Sequence, residues 1–244
     1  MGELLTYSGT TTKIRAMKSR LLTDNDYRNM AGMTSVSDAL VYLKKTPGYG
    51  HLLADQDETA LHRNEIETLL IRSVYRDYQK LYRFSSTYQR KFLEAYFGRY
   101  ETAMLKDCMR LVFDHQEATF YTGSFREFFD KHSDIDLEKL SGSHTIGELV
   151  ENLKGTMYYD CLHRLSDKPS ATLWDYGMTL DLFYFTWLWN QRESVLKDKD
   201  SQRIFMDAYG VKIDLLNLQW ICRSKKYFHM TAAQIYAMII PVQY

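Results

Sequence analysis

Apolar residues recur at helical spacing along much of the chain. In the stretch 208–225, the apolar residues Tyr209, Ile213, Leu216 and Trp220 follow one another at intervals of four, three and four, with polar residues between them. This spacing places the apolar side chains on one face of an amphipathic helix. We therefore predict a helix here whose apolar stripe packs against a core.

Similar spacing, together with capping signals, predicts a series of further helices. Their predicted bounds are residues 11–22, 26–31, 35–46, 60–84, 87–113, 125–131, a short helix from 136, one from 145, 173–196 and 201–225. Ser35 and Thr145 can each cap a helix, with the carboxylates of Asp38 and Glu148 three residues further on. Gly98 predicts a break or a bend within the helix of residues 87–113.

The order of the predicted helices repeats, because two sequence windows of the first half return in the second. The shared residues are Leu43, Lys44, Thr46, Tyr49 and Leu52, which return as Leu153, Lys154, Thr156, Tyr159 and Leu162, and Ala95, Tyr96, Leu105 and Arg110, which return as Ala208, Tyr209, Leu218 and Arg223. Any two amphipathic helices can look alike, but two windows in the same order indicate an internal duplication of about 110 residues. We predict repeat domains at residues 1–116 and 117–228, with residues 229–244 as the start of a third.

The composition of the chain favours a helical fold and argues against a nucleic acid as a partner. The chain has only 3 prolines and 12 glycines, so its helices are seldom interrupted, and we predict an all-α protein. The 31 Lys and Arg residues equal the 31 Asp and Glu residues in number. Since nucleic-acid binding depends on an excess of positive charge, we expect no nucleic-acid partner.

The sequence also bears on the cellular compartment. Cys108, Cys161 and Cys222 are odd in number and widely spaced, which is typical of reduced cysteines in a cytoplasmic protein. The N-terminus lacks the basic and apolar regions of a secretory signal. The most apolar run, residues 180–189, contains Asp181 and is about half as long as a spanning helix. We expect a cytoplasmic protein that does not insert into a membrane directly.

No motif in the chain predicts catalysis or a cofactor. There is no glycine-rich phosphate loop, no pair of histidines spaced for zinc and no Cys-x-x-Cys. Two weak metal patterns, Asp160 with His163 and the alternating series from Asp130 to Asp136, lack the ligands that di-iron and calcium sites require. We interpret Asp136 as a helix cap and predict no catalytic, cofactor-binding or metal-binding residues.

Four sequence features together resemble one known family. They are the repeated Tyr-x-x-[Arg/Lys]-x-[Asp/Glu] pattern at residues 96–101 and 209–214, the segment 214–225, the Leu-x-x-Thr-x-x-Tyr pattern at residues 43–49, and the opening residues 7–17 with Leu21 and Leu22 after them. The chain resembles the C subunit of the bacterial and archaeal V/A-type ATPase and is similar to the d subunit of the eukaryotic V-ATPase. The resemblance covers essentially the whole chain, although each motif is degenerate when taken alone.

The resemblance implies a non-catalytic rotor subunit in the central stalk of a V/A-type ATPase or ATP synthase. Family members have three related helical domains in a funnel-like arrangement, so this chain contains two of an expected three and we expect it to be a shortened form. The implied role is a socket that couples the central-shaft subunits to the membrane proteolipid ring during proton or sodium ion transport. The protein would be cytoplasmic and peripheral to the membrane through this complex.

Two other classes of function remain open from the sequence. One is a helical-repeat adaptor for protein interactions that is unrelated to ATPases, and the other is a helical enzyme without a recognisable motif. For partner binding, the sequence points to basic residues on the first helix and to the repeated arginine: Lys13, Arg15, Lys18, Arg20, Arg110 and Arg223. The alternative is that these residues form solvated helix faces and complement the helix dipoles.

Overall fold

The chain folds into α-helices joined by short connections. The computed structural model describes residues 2–57, 60–116, 124–166, 168 and 170–242, and all regular secondary structure within them is helical. The all-α fold predicted from the sequence is therefore confirmed. The chain divides into two compact units, residues 1–87 and 88–244.

Five of the described helices lie in the first unit. They are α1 (Gly2–Lys18), α2 (Asp24–Ala31), α3 (Val36–Lys44), α4 (Gly50–Leu53) and α5 (Arg63–Phe84). Helix α1 begins nine residues before its predicted start. It packs along α5, and this tertiary contact stabilises a segment whose threonines and glycine are weak helix formers.

The remaining described helices belong to the second unit, apart from the first residue of α6. They are α6 (Thr87–Phe113), α7 (Ser124–His132), α8 (Leu137–Ser141), α9 (Ile146–Glu151), α10 (Tyr159–Ser166), α11 (Leu173–Val195), α12 (Lys199–Tyr227) and α13 (Ala232–Tyr236). The long helices α5, α6, α11 and α12 start and stop within one turn of their predicted bounds.

Several helices begin where the sequence supplies a side chain to cap them. The hydroxyl oxygen of Ser35 accepts a hydrogen bond from the backbone N–H of Asp38 at 3.1 Å, and that of Thr145 accepts one from the N–H of Glu148 at 3.1 Å. The Asp136 carboxylate accepts bonds from two backbone N–H groups at the start of α8. Each cap satisfies helix N–H groups that would otherwise lack a partner, as the sequence predicted.

The core of the first unit brings the turn between α3 and α4 close to the chain that follows α1. Leu40, Leu43 and Leu53 are buried within this core. A Cβ atom at Gly48 would lie only 2.4 Å from the backbone carbonyl oxygen of Arg20. Because such an approach is too close for any side chain, glycine is required here and the turn packs tightly against the end of α1.

Helix α6 continues through Gly98, so of the predicted break or bend the break is wrong, while the bend stays a prediction. A Cβ atom at this position would lie 3.3 Å from the Tyr158 hydroxyl and 3.3 Å from the ring of Tyr184. The glycine therefore allows two aromatic side chains to approach the helix backbone. One residue further back, Phe97 is buried against Phe128, with the two ring centroids 5.1 Å apart.

Helices α11 and α12 contribute a second part of the same unit's core. Tyr209 and Ile213 are buried there, as predicted from the stripe on α12. The other two members of that stripe, Leu216 and Trp220, are half-buried against the same cluster. The rings of Phe205 and Tyr209 stack with their centroids 4.8 Å apart.

Two helix starts in the first half of the chain have counterparts 110 residues later. The N-cap of α9, Thr145, lies 110 residues after Ser35, the N-cap of α3, and Thr172 before α11 lies 110 residues after His62 before α5. The duplication, the superposition of the halves and the boundaries after residues 116 and 228 stay predictions. Residues 117–123, next to the first boundary, lie outside the described residues.

The border between the compact units, at Thr87, differs from the repeat boundary that the sequence predicts. Helix α6 belongs to the first predicted repeat, but its buried side chains pack against α7, α10 and α11 of the following one. A helix can belong to one repeat by descent and to the next repeat's core by packing. The two divisions therefore describe different properties of the chain.

Candidate partner-binding surfaces

The basic residues of the first helix separate into two groups in the structure. Lys13 and Arg20 line a pocket of about 150 Å³ in the first unit, and the Lys13 ammonium lies 6.0 Å from the centre of the Phe84 ring. Arg15 and Lys18 do not line this pocket and occupy the last turn of α1. There their charges complement the negative end of the helix dipole.

The pocket is formed by three segments of the first unit, and we call it the α1–α5 pocket. Its walls come from α1 and the chain after it, from the turn before α4, and from α5. The polar lining residues are Lys13, Arg20, Tyr49, His51, Ser73, Arg76, Asp77 and Lys80. Arg76 and Lys80 on α5 were not among the candidates from the sequence, because only the packing of α5 against α1 brings them beside Lys13 and Arg20.

Arg110 and Arg223 are both exposed, on α6 and α12 respectively. A guanidinium nitrogen of Arg110 lies 3.3 Å from a carboxylate oxygen of Asp107. Exposed pairs of this kind contribute about 0–1 kcal/mol to stability. Arg223 lines an open groove with Cys222, Tyr227 and Phe228. The structure therefore leaves both arginines accessible to a partner without bringing them into one site.

Helix α12 carries a second apolar stripe, which the sequence reasoning missed. We call it the α12 apolar face; its members are Ile204, Val211, Leu215 and Leu218, and each is more than half exposed. Their spacing of seven, four and three residues is that of a helix–helix seam. Cys222, four residues after Leu218, is also exposed. The signal was present in the sequence, since α12 has two apolar stripes and a helix on a surface needs only one.

The weak metal patterns do not form a metal site. Among the described residues, no group of three or more His, Cys, Asp and Glu side chains is arranged to hold a metal ion. The Asp136 carboxylate caps α8, and the His132 ring packs 5.1 Å from the ring of Phe128. His163 stacks on Tyr159 at 4.9 Å, and its Nδ1 is 3.4 Å from a Glu151 carboxylate oxygen but not aligned for a hydrogen bond.

Glu101 is the one clearly buried carboxylate among the described residues, at 8% exposure. Its two oxygens accept hydrogen bonds from the hydroxyls of Ser133 and Tyr158, the latter at 2.7 Å. Burial raises the pKa of the Glu101 carboxyl, and the two hydrogen bonds oppose that shift. The group joins α6 to the segments after α7 and before α10, and its partners are structural.

Cys108 and Cys161 lie in surroundings that oppose a reactive thiolate. Burial raises the pKa of the Cys108 thiol far above its ordinary value and that of Cys161 to about 11. Because the thiolate is the nucleophilic form, these shifts oppose catalysis. Cys161 and His163 do not form a nucleophile–base pair, since the Cys161 thiol donates to the backbone carbonyl of Tyr158.

None of the helices in the described part of the chain combines the length and the apolar character that crossing a membrane requires.

The chain is similar in sequence to known proteins of one family. A family model described as ATP synthase (C/AC39) subunit matches residues 10–244. The chain is 26% identical over 244 residues to the C subunit of the A-type ATP synthase of Methanosarcina mazei and 22% identical over 244 residues to that of Desulfurococcus sp. (strain SY). Each alignment covers 96% of this chain but only 63% and 61%, respectively, of the relative. The chain thus spans about three fifths of the length of these relatives.

Proposed function

The chain belongs to the ATP synthase (C/AC39) subunit family, and we propose that it acts as a non-catalytic subunit of the central stalk in an ATP synthase complex. In this role it is a socket between the central-shaft subunits and the membrane proteolipid ring. The family match over nearly the whole chain carries the proposal. It also favours this role over an adaptor unrelated to ATPases.

A coupling subunit must transmit torque without deforming. Long helices such as α6 and α12, of 27 and 29 residues, are stiff elements, and the short connections between helices limit bending. The equal numbers of acidic and basic residues suit contacts that depend on local complementarity rather than on a general attraction to polyanions. These properties support a mechanical role for the fold.

The candidate contact surfaces are the basic end of α1, including Arg15 and Lys18, and the exposed arginines of α6 and α12. Cations on the rim of an interface steer an acidic partner into place and fix its orientation. The α12 apolar face supplies the nonpolar area that a stable contact needs. The protein remains cytoplasmic and is peripheral to the membrane through its partners, with no cofactor and no nucleic acid.

The proposal is tested by titrating the purified chain against the central-shaft subunits and, separately, against the detergent-solubilised proteolipid ring. We expect saturable binding to at least one of the two. The variant Arg15→Gln with Lys18→Gln should weaken that binding, whereas Arg28→Gln with Arg164→Gln removes the same charge from other exposed positions and should not. Absence of binding to both partners would overturn the proposed role.

A further inference from the structure

The α1–α5 pocket concentrates positive charge in a chain whose formal net charge is zero. Four basic side chains line it, and Asp77 is the one carboxylate among its described lining residues. The cations come from separate segments: Lys13 from α1, Arg20 from the turn after it, and Arg76 and Lys80 from α5. We propose that this pocket is a binding site for a phosphoryl group.

The one carboxylate in the pocket does not neutralise these cations. An Asp77 oxygen lies 2.9 Å from the Lys80 ammonium, so its charge is offset by its neighbour on the same helix. In the described part of the chain, no carboxylate lies within ion-pair distance of Arg20 or Arg76. Lys13 also makes no ion pair with a described carboxylate, so three basic side chains without such a partner surround one concavity.

The shape of the pocket is held by the backbone rather than by mobile side chains. The turn containing Gly48 packs against the Arg20 carbonyl, and Gly50 packs in the same way against the carbonyl of Lys44, with a Cβ atom at either position only 2.4 Å from the oxygen. The first approach fixes the turn against the chain that follows α1, and the second fixes the connection between α3 and α4. A site whose walls are already in place loses less entropy when it binds a ligand.

The charge and size of the pocket favour a phosphoryl group over a single carboxylate. A phosphomonoester carries about −1.5 to −2 charges at neutral pH and three acceptor oxygens, so it matches several cations at once. Arginine guanidinium groups bind such oxygens through two parallel hydrogen bonds. The volume of about 150 Å³ equals about five water molecules, enough for a phosphoryl group and its remaining water.

The phosphoryl group could come from a free phosphate compound or from the headgroup of an anionic lipid. Calorimetric titration of the whole chain with inorganic phosphate and with pyrophosphate measures the first source. Flotation with vesicles of phosphatidylcholine alone, and of phosphatidylcholine mixed with phosphatidic acid, measures the second. Both assays should be run at low and at physiological ionic strength, because salt screens exposed charges.

The site variant is Arg20→Gln with Arg76→Gln, and the matched control is Arg28→Gln with Arg164→Gln, which removes two exposed arginines outside the pocket. We expect the site variant to weaken binding at least about tenfold, since each lost charge-assisted contact is worth about that factor. The control should bind as the parent does. Circular dichroism checks that both variants keep their helices.

Either source of binding supports the proposal, provided that it depends on the two pocket arginines. If calorimetry detects binding of phosphate or pyrophosphate and the protein does not float with the vesicles, the ligand is a free phosphate compound. Flotation that requires phosphatidic acid, without heat from the free probes, identifies a lipid headgroup. Equal weakening in the site and control variants would show only general charge attraction and overturn the proposal, and so would the absence of both signals. Neither result bears on binding to the stalk subunits, so the two proposals fail independently.

Discussion

Helices α6 and α12 occupy the same place in the two predicted repeats, but the equivalent face is buried on α6 and exposed on α12. Ala95 on α6 aligns with Ala208 on α12, so each residue of α12 corresponds to the residue of α6 that lies 113 positions earlier. On α6 the face is buried: Ala95, Gly98, Thr102, Leu105, Met109 and Val112. On α12 the aligned residues are Ala208, Val211, Leu215, Leu218, Cys222 and Lys225, and all six are exposed.

The two helices differ in what packs on this face. The α6 face is covered by helices of the following repeat, for example by Tyr158 and Tyr184 at Gly98. No equivalent layer covers the aligned positions of α12 within the described residues. The same helix face is therefore a packing surface on α6, whereas on α12 the aligned positions are exposed.

The largest effect that we expect concerns this uncovered face. A version of the protein extended through a third repeat should bind the central-shaft subunits more tightly than the 244-residue chain, by about 10² to 10⁴, because linked contacts in one rigid body reinforce each other. Parallel titrations of the two forms measure the ratio. Labelling of the exposed Cys222 thiol should slow in the extended form.

Equal affinity of the two forms for the shaft would contradict the enclosing-funnel mechanism implied by the resemblance. Unchanged labelling of Cys222 would place the third repeat elsewhere than on the α12 apolar face. The buried Cys108 serves as the internal reference, because it should stay unlabelled in both forms until they unfold.

The next largest effect is on stability and separates the two faces directly. Leu105 on α6 is fully buried, so Leu105→Ala should lower the free energy of unfolding by about 2–5 kcal/mol. The aligned Leu218 is 57% exposed, and Leu218→Ala should change it by no more than about 0.5 kcal/mol. Urea unfolding followed by circular dichroism measures both. Equal losses would mean that Leu218 is covered in solution, for example by self-association.

A smaller effect is the pH dependence that Glu101 adds to stability. Its pKa is raised in the folded state, so the folded protein holds this proton at pH values where the unfolded chain has released it. The contribution is therefore present below the ordinary value of 4.5 and is lost as the pH rises through the raised folded value. Glu101→Gln should flatten the curve of unfolding free energy against pH in this window.

The aligned Asp214 on α12 is exposed, and Asp214→Asn is the matched control because it removes a carboxylate from the aligned position without removing a buried group. The pKa values of the capping carboxylates Asp26, Asp136 and Asp198 are lowered from 3.8 in the folded state. The stability that they contribute is therefore lost as the pH falls below 3.8, which is the opposite direction from Glu101 and lies at lower pH. If Glu101→Gln and Asp214→Asn gave the same curve as the parent protein, the burial of Glu101 would carry no proton linkage.

The smallest effect should come from the repeated arginine. Arg110→Gln and Arg223→Gln should each change the unfolding free energy by no more than about 0.5 kcal/mol, because both side chains are exposed. If Arg223 is a partner contact, its variant should weaken binding to the shaft while stability stays the same. A larger loss of stability in either variant would show a structural role for that arginine.

Local signals in the sequence determined most of the helices, although not the first nine residues of α1 or the short helices α4, α10 and α13. The bounds of α6 and α11, and the caps at Ser35, Thr145 and Asp136, follow from side chains within a few residues of each helix end. The burial of Tyr209 and Ile213 follows from their spacing in the same way. Periodicity and capping act over a few residues, so one sequence suffices to read them.

Only the tertiary structure decided which apolar and charged groups meet. Helix α12 has two apolar stripes, and the spacing of their residues does not tell which one is buried. The stripe with Tyr209 packs against α11, whereas the stripe with Leu218 is exposed. Gly98, which reads as a helix break, is instead where two tyrosines reach the backbone of α6. The α1–α5 pocket joins Arg20 to Arg76, which lie far apart in the chain and become neighbours when α5 packs along α1. Burial and long-range pairing depend on the packing of whole helices, which the local spacing of residues does not specify.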